Sequence, residues 1–126
     1  MTGNSTAFRI LIIEDSPVIA LATEEMLSAS GYVPAGPVGN MASALEYVEN
    51  GEMDAAIVDL NIRGSKTFGL FSVLKRRNIP FLIMSGYADW KMPDEWADRP
   101  RLQKPFSENQ LSAKLSELLS APDKPL

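Results

Sequence analysis

Short apolar runs alternate along this chain with segments in which apolar residues recur every three or four positions. Such runs predict five strands: Phe8–Ile13, Tyr32–Val38, Ala55–Asp59, Phe81–Ser85 and Arg101–Gln103. The first, third and fourth are apolar almost throughout, which is typical of strands buried on both faces of a parallel sheet. Pro34 and Pro37 place the second strand at an edge, because proline cannot donate a ladder hydrogen bond.

The intervals between these strands predict helices with recognisable beginnings. Ser16 (followed by Pro17), Asn40 and Ser107 are expected to cap three helix N-termini, and Gln110 completes a capping box with Ser107. The predicted inner faces are Ile19, Ala22 and Met26; Met41, Leu45 and Val48; Leu70, Val73 and Leu74; and Leu111, Leu115 and Leu118.

The segment 88–100 departs from this pattern. Pro93 and Pro100 allow only a short or irregular helix there, because proline breaks a helix interior. Both tryptophans, Trp90 and Trp96, lie in this segment. We expect them to pack against the domain rather than to contact a partner.

Regular alternation of strands and helices predicts an α/β fold with a parallel sheet and helices on both of its faces. For a chain of 126 residues we expect a doubly wound, flavodoxin-like (βα)5 architecture with strand order 2-1-3-4-5. We expect one domain over residues 8–120, a disordered N-terminus at 1–7 and a tail at 121–126.

Composition narrows the classes of function. The net charge is −4 and no basic stripe is present, which argues against a nucleic-acid partner. Without cysteine or histidine, the chain has no disulfide, thiolate or histidine chemistry. No apolar stretch approaches the roughly 20 residues that a membrane span needs. We therefore expect a cytoplasmic protein that is neither exported nor attached to a membrane.

Polar side chains follow four of the predicted strands at the points where they end. They are Glu14 and Asp15 after the first, Asp59 at the end of the third, Ser85 at the end of the fourth, and Lys104 after the fifth. Because carboxyl ends of parallel strands meet at one edge of the sheet, these side chains are expected to converge there. Each residue taken alone is commonly a turn, cap or surface residue, so the prediction depends on the whole set.

The set predicts a magnesium-dependent site that accepts a phosphoryl group. Mg²⁺ prefers oxygen ligands, and Asp15 and Asp59 can each provide a carboxylate oxygen. Glu14 would act directly or through water, and the backbone carbonyl of Asn61 would be a third protein ligand. Asp59 is the predicted nucleophile, because carboxylates form aspartyl-phosphates.

Two further residues complete this predicted site. Lys104 would pair with a phosphoryl oxygen as a point charge. Ser85 would donate a hydrogen bond to another oxygen once the phosphoryl group is attached.

Together these residues resemble the CheY-like receiver domain of two-component response regulators, from about Phe8 to Ser120. The resemblance includes Val58-Asp59-Leu60-Asn61 and Lys104-Pro105-Phe106. It implies phosphorylation of Asp59, with Mg²⁺, by a histidine kinase or a histidine phosphotransfer protein. It also implies a cis bond before Pro105, and a phosphoacceptor that assists its own phosphorylation and dephosphorylation without being an enzyme.

A finer resemblance lies in Pro80–Tyr87, which is similar to the Pro-Phe-x-Phe-Ala-Thr-Gly-Tyr signature of a receiver subgroup. Pro80, Phe81, Gly86 and Tyr87 match, whereas Ile83, Met84 and Ser85 are substitutions. Members of that subgroup are often stand-alone receivers served by kinases of the HWE type. Only six residues follow Ser120, so we expect a signal to pass from the receiver surface to an unknown downstream protein, without an output domain.

The region that would respond to phosphorylation departs from the common receiver pattern. Many receivers carry an aromatic switch residue three positions before the lysine, where this chain has Arg101. Either Tyr87 or an ordering of the segment 88–100 is expected to replace it. Gly86 is small and is expected to leave the site open to attacking water.

Three alternatives remain open at this point. The chain can be a phosphate sink that drains a shared kinase, or a pseudo-receiver that acts only as an interaction module. It can also be a flavodoxin-like nucleotide or flavin binder, since one fold hosts many functions. Against that last reading, no glycine-rich phosphate loop follows the first strand.

Overall fold

Alternating strands and helices build the protein, which a computed structural model describes over residues 7–86 and 92–120. Within those ranges the strands are β1 (Arg9–Ile13), β2 (Val33–Val38), β3 (Ala55–Asp59), β4 (Asn61–Ile62), β5 (Ser65–Lys66), β6 (Phe81–Ser85) and β7 (Arg101–Gln103). The helices are α1 (Pro17–Ala29), α2 (Met41–Asn50), α3 (Phe68–Arg76) and α4 (Glu108–Ser120), with a 3₁₀ turn at Asp94–Trp96.

Five of these strands form one parallel sheet in the order β2-β1-β3-β6-β7. This order confirms the predicted 2-1-3-4-5 arrangement once the two short strands are set aside. The proline-containing β2 lies at an edge, as predicted. The order also places β1 and β3 side by side, so that the residues following them are neighbours.

Strand alternation divides the core between the two faces of the sheet. In β1, Leu11 and Ile13 contribute to a core cluster with residues of α2 and α3. Ile10 and Ile12 contribute to a second cluster, with residues of α1 and α4. All four side chains are fully buried, which confirms that the central strands are covered on both faces.

The helix N-termini follow the predicted capping pattern. The Ser16 hydroxyl accepts a hydrogen bond from Ile19 N, and the Asn40 side chain accepts one from Ser43 N. Ser107 and Gln110 form the reciprocal capping box, with N···O distances of 2.8 and 3.1 Å. These bonds satisfy backbone donors that a helix start would otherwise leave unpaired.

Two predicted inner faces require correction. In α1 the most buried side chains are Ala20, Thr23 and Leu27, one position beyond the predicted Ile19, Ala22 and Met26. In α2, Leu45 is exposed, while Ala44 and Val48 are buried. In each helix a small apolar residue is buried while the larger apolar residue that follows it is exposed.

Between β3 and α3 the chain forms a small antiparallel hairpin, β4–β5, in addition to the five predicted strands. Its two turn residues, Arg63 and Gly64, have φ values of +50° and +82°. Positive φ at both central residues is typical of a type I′ turn, which suits the twist of a two-residue hairpin. The hairpin begins two residues after Asp59 and therefore borders the predicted site.

The segment before β7 is irregular where it is described, as predicted. It holds only the 3₁₀ turn, and Trp96 at the end of that turn is buried against Phe71 and Phe81. The prediction that Trp96 packs is confirmed; Tyr87 and Trp90 lie outside the described residues. A membrane-spanning helix is not found in the described part of the chain.

Candidate functional site

Four strand ends bring the predicted polar residues to the carboxyl edge of the sheet. Glu14 follows β1 directly, and Asp59 is the last residue of β3. Ser85 ends β6, and Lys104 follows β7. Because β1, β3, β6 and β7 are consecutive in the sheet, these residues form a row at one edge.

Lys104 joins the two buried acids of this row. Its Nζ lies 2.9 Å from Asp59 Oδ2 and 3.2 Å from Glu14 Oε1. Glu14 and Asp59 are each only 3% exposed. Charged hydrogen bonds of this length are strong when they are shielded from water, so the three groups form one electrostatic unit.

Asp15 adds a third carboxylate to this unit. One oxygen from each of Glu14, Asp15 and Asp59 can be chosen so that all three lie within 4.8 Å of one another. Asp15 is more open to solvent than the other two. Three carboxylates facing a single ammonium leave an excess of negative charge, which favours binding of a divalent cation.

The pKa values of Glu14 and Lys104 are both shifted by burial and by neighbouring charges. Burial raises the pKa of Glu14 to about 7, and the negative charge of Asp59 adds to the shift, although Ser16 N–H and Lys104 oppose it. For Lys104, burial lowers the pKa, but the hydrogen bonds and charges of Asp59 and Glu14 outweigh it and raise the value overall. A bound cation would remove part of the repulsion that favours protonated Glu14.

Asn61 lies beside the acids and carries an unusual side chain. Its backbone N–H donates to Asp59 Oδ1 at 3.1 Å. Its side-chain Oδ1 is buried and has no hydrogen-bond partner among the described residues. Buried polar oxygens are normally paired, so this one fits a site that receives a cation or its water shell.

The remaining predicted residues surround the cluster. Ser85 is buried, and its carbonyl accepts a 2.9 Å hydrogen bond from Lys104 N, which ties β6 to the start of the Lys104–Pro105 segment. The Lys104–Pro105 bond is cis, as expected. Arg101 begins β7 and is half-buried, and Gly86 follows β6. Their expected switching and water-access roles stay predictions.

Two residues near Asp59 were not foreseen from the sequence. Thr67 is fully buried, and its hydroxyl donates a 2.7 Å hydrogen bond to the backbone carbonyl of Asp59. Arg63 N donates a 2.7 Å hydrogen bond to Asp15 Oδ2. A polar residue just before α3 is a recognisable sign of a cap, yet Thr67 holds the strand end instead. The hydrogen bond from Arg63 N to Asp15 could not be predicted from the residue type, because every non-proline residue has a backbone N–H.

Comparison with known proteins gives a consistent result. The sequence profile of the response regulator receiver domain matches residues 10–116. The solution structure of SdrG from Sphingomonas melonis Fr1 is 40% identical and superposes with a TM-score of 0.83, covering 92% of this chain and 99% of that one. The BeF₃-activated conformation of SdrG from Pseudomonas melonis Fr1 is 39% identical, with a TM-score of 0.76, and covers 91% and 99% of the two chains.

Longer proteins also contain a similar segment. The sensor histidine kinase TmoS of Ectopseudomonas mendocina is 30% identical over 119 residues, which are 89% of this chain and 12% of TmoS. The chain spans between 9% and 24% of the length of three curated relatives that it matches, TmoS among them.

Proposed function

This chain belongs to the response regulator receiver domain family, the receivers of two-component signalling systems, and we propose that it accepts a phosphoryl group on Asp59. The donor would be a sensor histidine kinase, of the HWE type, or a histidine phosphotransfer protein. The phosphorylated form would signal through its own surface to a downstream protein.

The main support for this proposal is the position of Asp59 between the ammonium group of Lys104 and two further carboxylates. Lys104 Nζ lies 2.9 Å from Asp59 Oδ2, while Glu14 and Asp15 lie on the neighbouring strand end. In the transfer, an Asp59 oxygen bonds to phosphorus as the bond from phosphorus to the donor's leaving atom breaks. Such a reaction needs alignment and charge neutralisation more than covalent help from the protein.

Glu14, Asp15, Asp59 and Asn61 would hold Mg²⁺, whose chemical contribution is to neutralise charge on the phosphoryl oxygens. Their fit is supported by the clustered carboxylate oxygens and by the unpaired, buried Oδ1 of Asn61. The backbone carbonyl of Asn61 is proposed as a ligand in addition to the carboxylates.

Phosphorylation would change the partners of Lys104 and Ser85. Lys104 Nζ now donates a hydrogen bond to Asp59 Oδ2 and would donate to a phosphoryl oxygen instead. The Ser85 hydroxyl would donate a hydrogen bond to another phosphoryl oxygen. Lys104 and Ser85 are expected to move together, because the backbone N–H of Lys104 donates a hydrogen bond to the Ser85 carbonyl. A shift of these two residues would bias the segment between β6 and α4, which a partner can recognise.

The proposal is tested by intact-mass measurement after incubation with Mg²⁺ and acetyl phosphate. We expect the wild type to gain one phosphoryl group and Asp59→Asn to gain none. Asp54→Asn, which removes a carboxylate at the opposite end of the sheet, is the matched control and should gain the group normally. Equal uptake by wild type and Asp59→Asn would overturn the assignment of the acceptor.

A second phosphodonor distinguishes this proposal from the pseudo-receiver alternative. If the folded wild type gains nothing from acetyl phosphate, it is next incubated with a phosphorylated histidine phosphotransfer domain and Mg²⁺. Failure with both donors would favour a receiver that acts only as an interaction module.

A further inference from the structure

The β4–β5 hairpin contacts two other loops at the carboxyl edge of the sheet. At its tip, Arg63 N donates a 2.7 Å hydrogen bond to Asp15 Oδ2 in the loop after β1. The Arg63 side chain reaches the loop after β2, where Nε donates a 3.0 Å hydrogen bond to the Gly39 carbonyl. One residue of the β3–α3 connection therefore contacts both the loop after β1 and the loop after β2.

Gly39 itself lies against the acidic pair. A Cβ added at Gly39 would be 3.4 Å from both Asp15 Cα and the Glu14 carbonyl oxygen. The β2–α2 loop thus packs directly behind Asp15, and Arg63 fastens the hairpin to that loop. Asp15 is held from behind by packing and from one side by a hydrogen bond to its carboxylate.

The base of the hairpin is fixed to Asp59. Thr67 Oγ1 donates to the Asp59 carbonyl at 2.7 Å, and Thr67 N donates to the Leu60 carbonyl at 3.1 Å. The connection leaves β3 at Asp59 and returns to the same point before α3 begins. It is a closed unit that links the position of Asp59 at its base with the position of Asp15 at its tip.

We propose that the Arg63–Gly64 turn is a positioning element for the magnesium site. The Arg63 N–H occupies Asp15 Oδ2 and so would leave the other carboxylate oxygen available to a cation. A carboxylate restricted in this way suits Mg²⁺, which takes one oxygen from each of one or two carboxylates and keeps several waters. Without the turn, Asp15 would have to be ordered by the cation itself, and affinity would fall.

The inference rests on the magnesium requirement of the proposed function but concerns cation binding rather than phosphoryl transfer. It assigns no chemistry to Arg63, which acts through Asp15. The Arg63 guanidinium serves to hold the hairpin on the Gly39 loop.

The decisive variant is Gly64→Val, because Gly64 has φ +82° and a Cβ added there would meet nothing within 4 Å. Valine would strain the turn backbone, since β-branched residues disfavour positive φ, without changing any charge. Gly31→Val is the matched control, since Gly31 has φ +89°, has equally open surroundings and follows α1 away from the site. Both variants should lose similar stability.

Magnesium affinity is measured by titrating ¹⁵N-labelled protein with Mg²⁺ and following backbone amide shifts, without any phosphodonor. We expect Gly64→Val to raise the Mg²⁺ Kd about three- to tenfold, the range of one lost hydrogen bond, and Gly31→Val to leave it unchanged. At saturating Mg²⁺ the phosphorylation rate of Gly64→Val should return close to that of the wild type, as expected for a positioning role.

A second variant keeps the test valid if Gly64→Val fails to fold. Arg63→Lys retains the charge and removes the Nε–H, and its control is Arg76→Lys on the outer surface of α3. We expect about a twofold rise in Kd for Arg63→Lys alone. Unchanged Kd values in the folded site variants, or a wild type that binds no Mg²⁺, would overturn the inference. Mg²⁺ binding without phosphoryl uptake would instead overturn the proposed function and leave the inference intact.

Discussion

The two ends of the parallel sheet carry the same kinds of charged group but place them in different surroundings. At the carboxyl end, Glu14 and Asp59 are buried and share Lys104 as their cation. At the amino end the charged groups remain close to solvent. At the carboxyl end, burial of charged groups lowers the stability of the fold, whereas at the amino end charged side chains stabilise it by linking neighbouring segments.

The amino end shows what arginine does when it has only a structural role. The Arg9 side chain donates from Nε to the Glu52 carbonyl at 3.1 Å, which links the start of β1 to the loop before β3. Arg77, after α3, donates from Nη1 to the carbonyls of Val48 and Gly51, at 2.7 and 3.0 Å, and so joins α3 to the end of α2. In both cases the acceptors are neutral backbone carbonyls, and the arginine residue is exposed.

The difference teaches that a cluster's charge balance and burial are more informative than its number of ion pairs. Three acids facing one lysine at the carboxyl end would repel one another in a purely structural site. That arrangement is expected where a cation and a phosphoryl group are to be bound. Substitutions at the two ends should therefore differ in size, in pH dependence and in their response to Mg²⁺.

Lys104→Met should produce the largest effect. Removing the ammonium leaves Glu14 and Asp59 buried without their cation, and we expect the free energy of unfolding to fall by about 2 kcal/mol in the absence of Mg²⁺. This is less than for a fully buried pair, because Lys104 is partly exposed and Glu14 can take up a proton. Urea unfolding at pH 7.5 gives the value.

Mg²⁺ provides the internal control for that substitution. Because a cation can replace part of the missing positive charge, saturating Mg²⁺ should restore some of the lost stability. Arg76→Met, which removes an exposed partner of Glu49, should cost less than about 0.5 kcal/mol and show no response to Mg²⁺. Equal losses in the two variants would contradict the contrast between the two ends.

Glu14→Gln should have the next largest effect, with a sign that depends on pH. The folded pKa of Glu14, about 7, lies above its ordinary value of 4.5, so the folded state holds the proton more tightly. Stability from this group is present below pH 4.5 and is lost as the pH rises through about 7. Glutamine cannot ionise, so the variant should be more stable than the wild type at pH 8.

We expect the gain at pH 8 to be about 1 to 2 kcal/mol, reduced from the full effect of the shift by solvent screening. At pH 5 the two proteins should differ little. Urea unfolding at both pH values, without Mg²⁺, measures the difference. A gain of the same size at pH 5 would show that ionisation of Glu14 is not its cause.

Both the fold and the convergence of the polar residues at one edge of the sheet could be largely predicted from sequence, because they follow from regular repeats. The apolar strands alternate with helices, and the parallel arrangement brings Glu14, Asp59, Ser85 and Lys104 to one edge. The helix starts were also predictable, since Ser16 carries its own capping oxygen. In each case the information lies in a residue's own chemistry and its place in a repeat.

The phase of α1 could not be predicted in the same way. Apolar residues nearly surround its first turns, so periodicity alone does not choose a face. Val18 and Leu21 are 77% and 55% exposed, while the smaller Ala20 and Thr23 are buried. Close approach of a helix to a sheet favours small side chains, which a ranking by hydrophobicity overlooks.

The hairpin was missed for a different reason. Asn-Gly and Asp-Gly are the common signals of a type I′ turn, and Arg63-Gly64 has only the glycine. The contacts that make the hairpin important use backbone groups, namely Arg63 N and the Asp59 carbonyl. A backbone group can take any neighbour that the fold supplies, so its partner depends on the assembled structure.

Arg77→Met gives the smallest of the three effects and the sharpest test of the comparison. It removes two hydrogen bonds to carbonyl groups of the α2 terminus, and we expect a loss of about 1 kcal/mol. Because arginine stays protonated throughout, the loss should be the same at pH 5 and pH 8. The Mg²⁺ Kd should also be unchanged, because these bonds lie at the end of the sheet opposite the acids. A loss that varied with pH or Mg²⁺ would mean that the two ends of the sheet are coupled through α2 and α3. The proposed difference between the carboxyl end and the amino end would then be wrong.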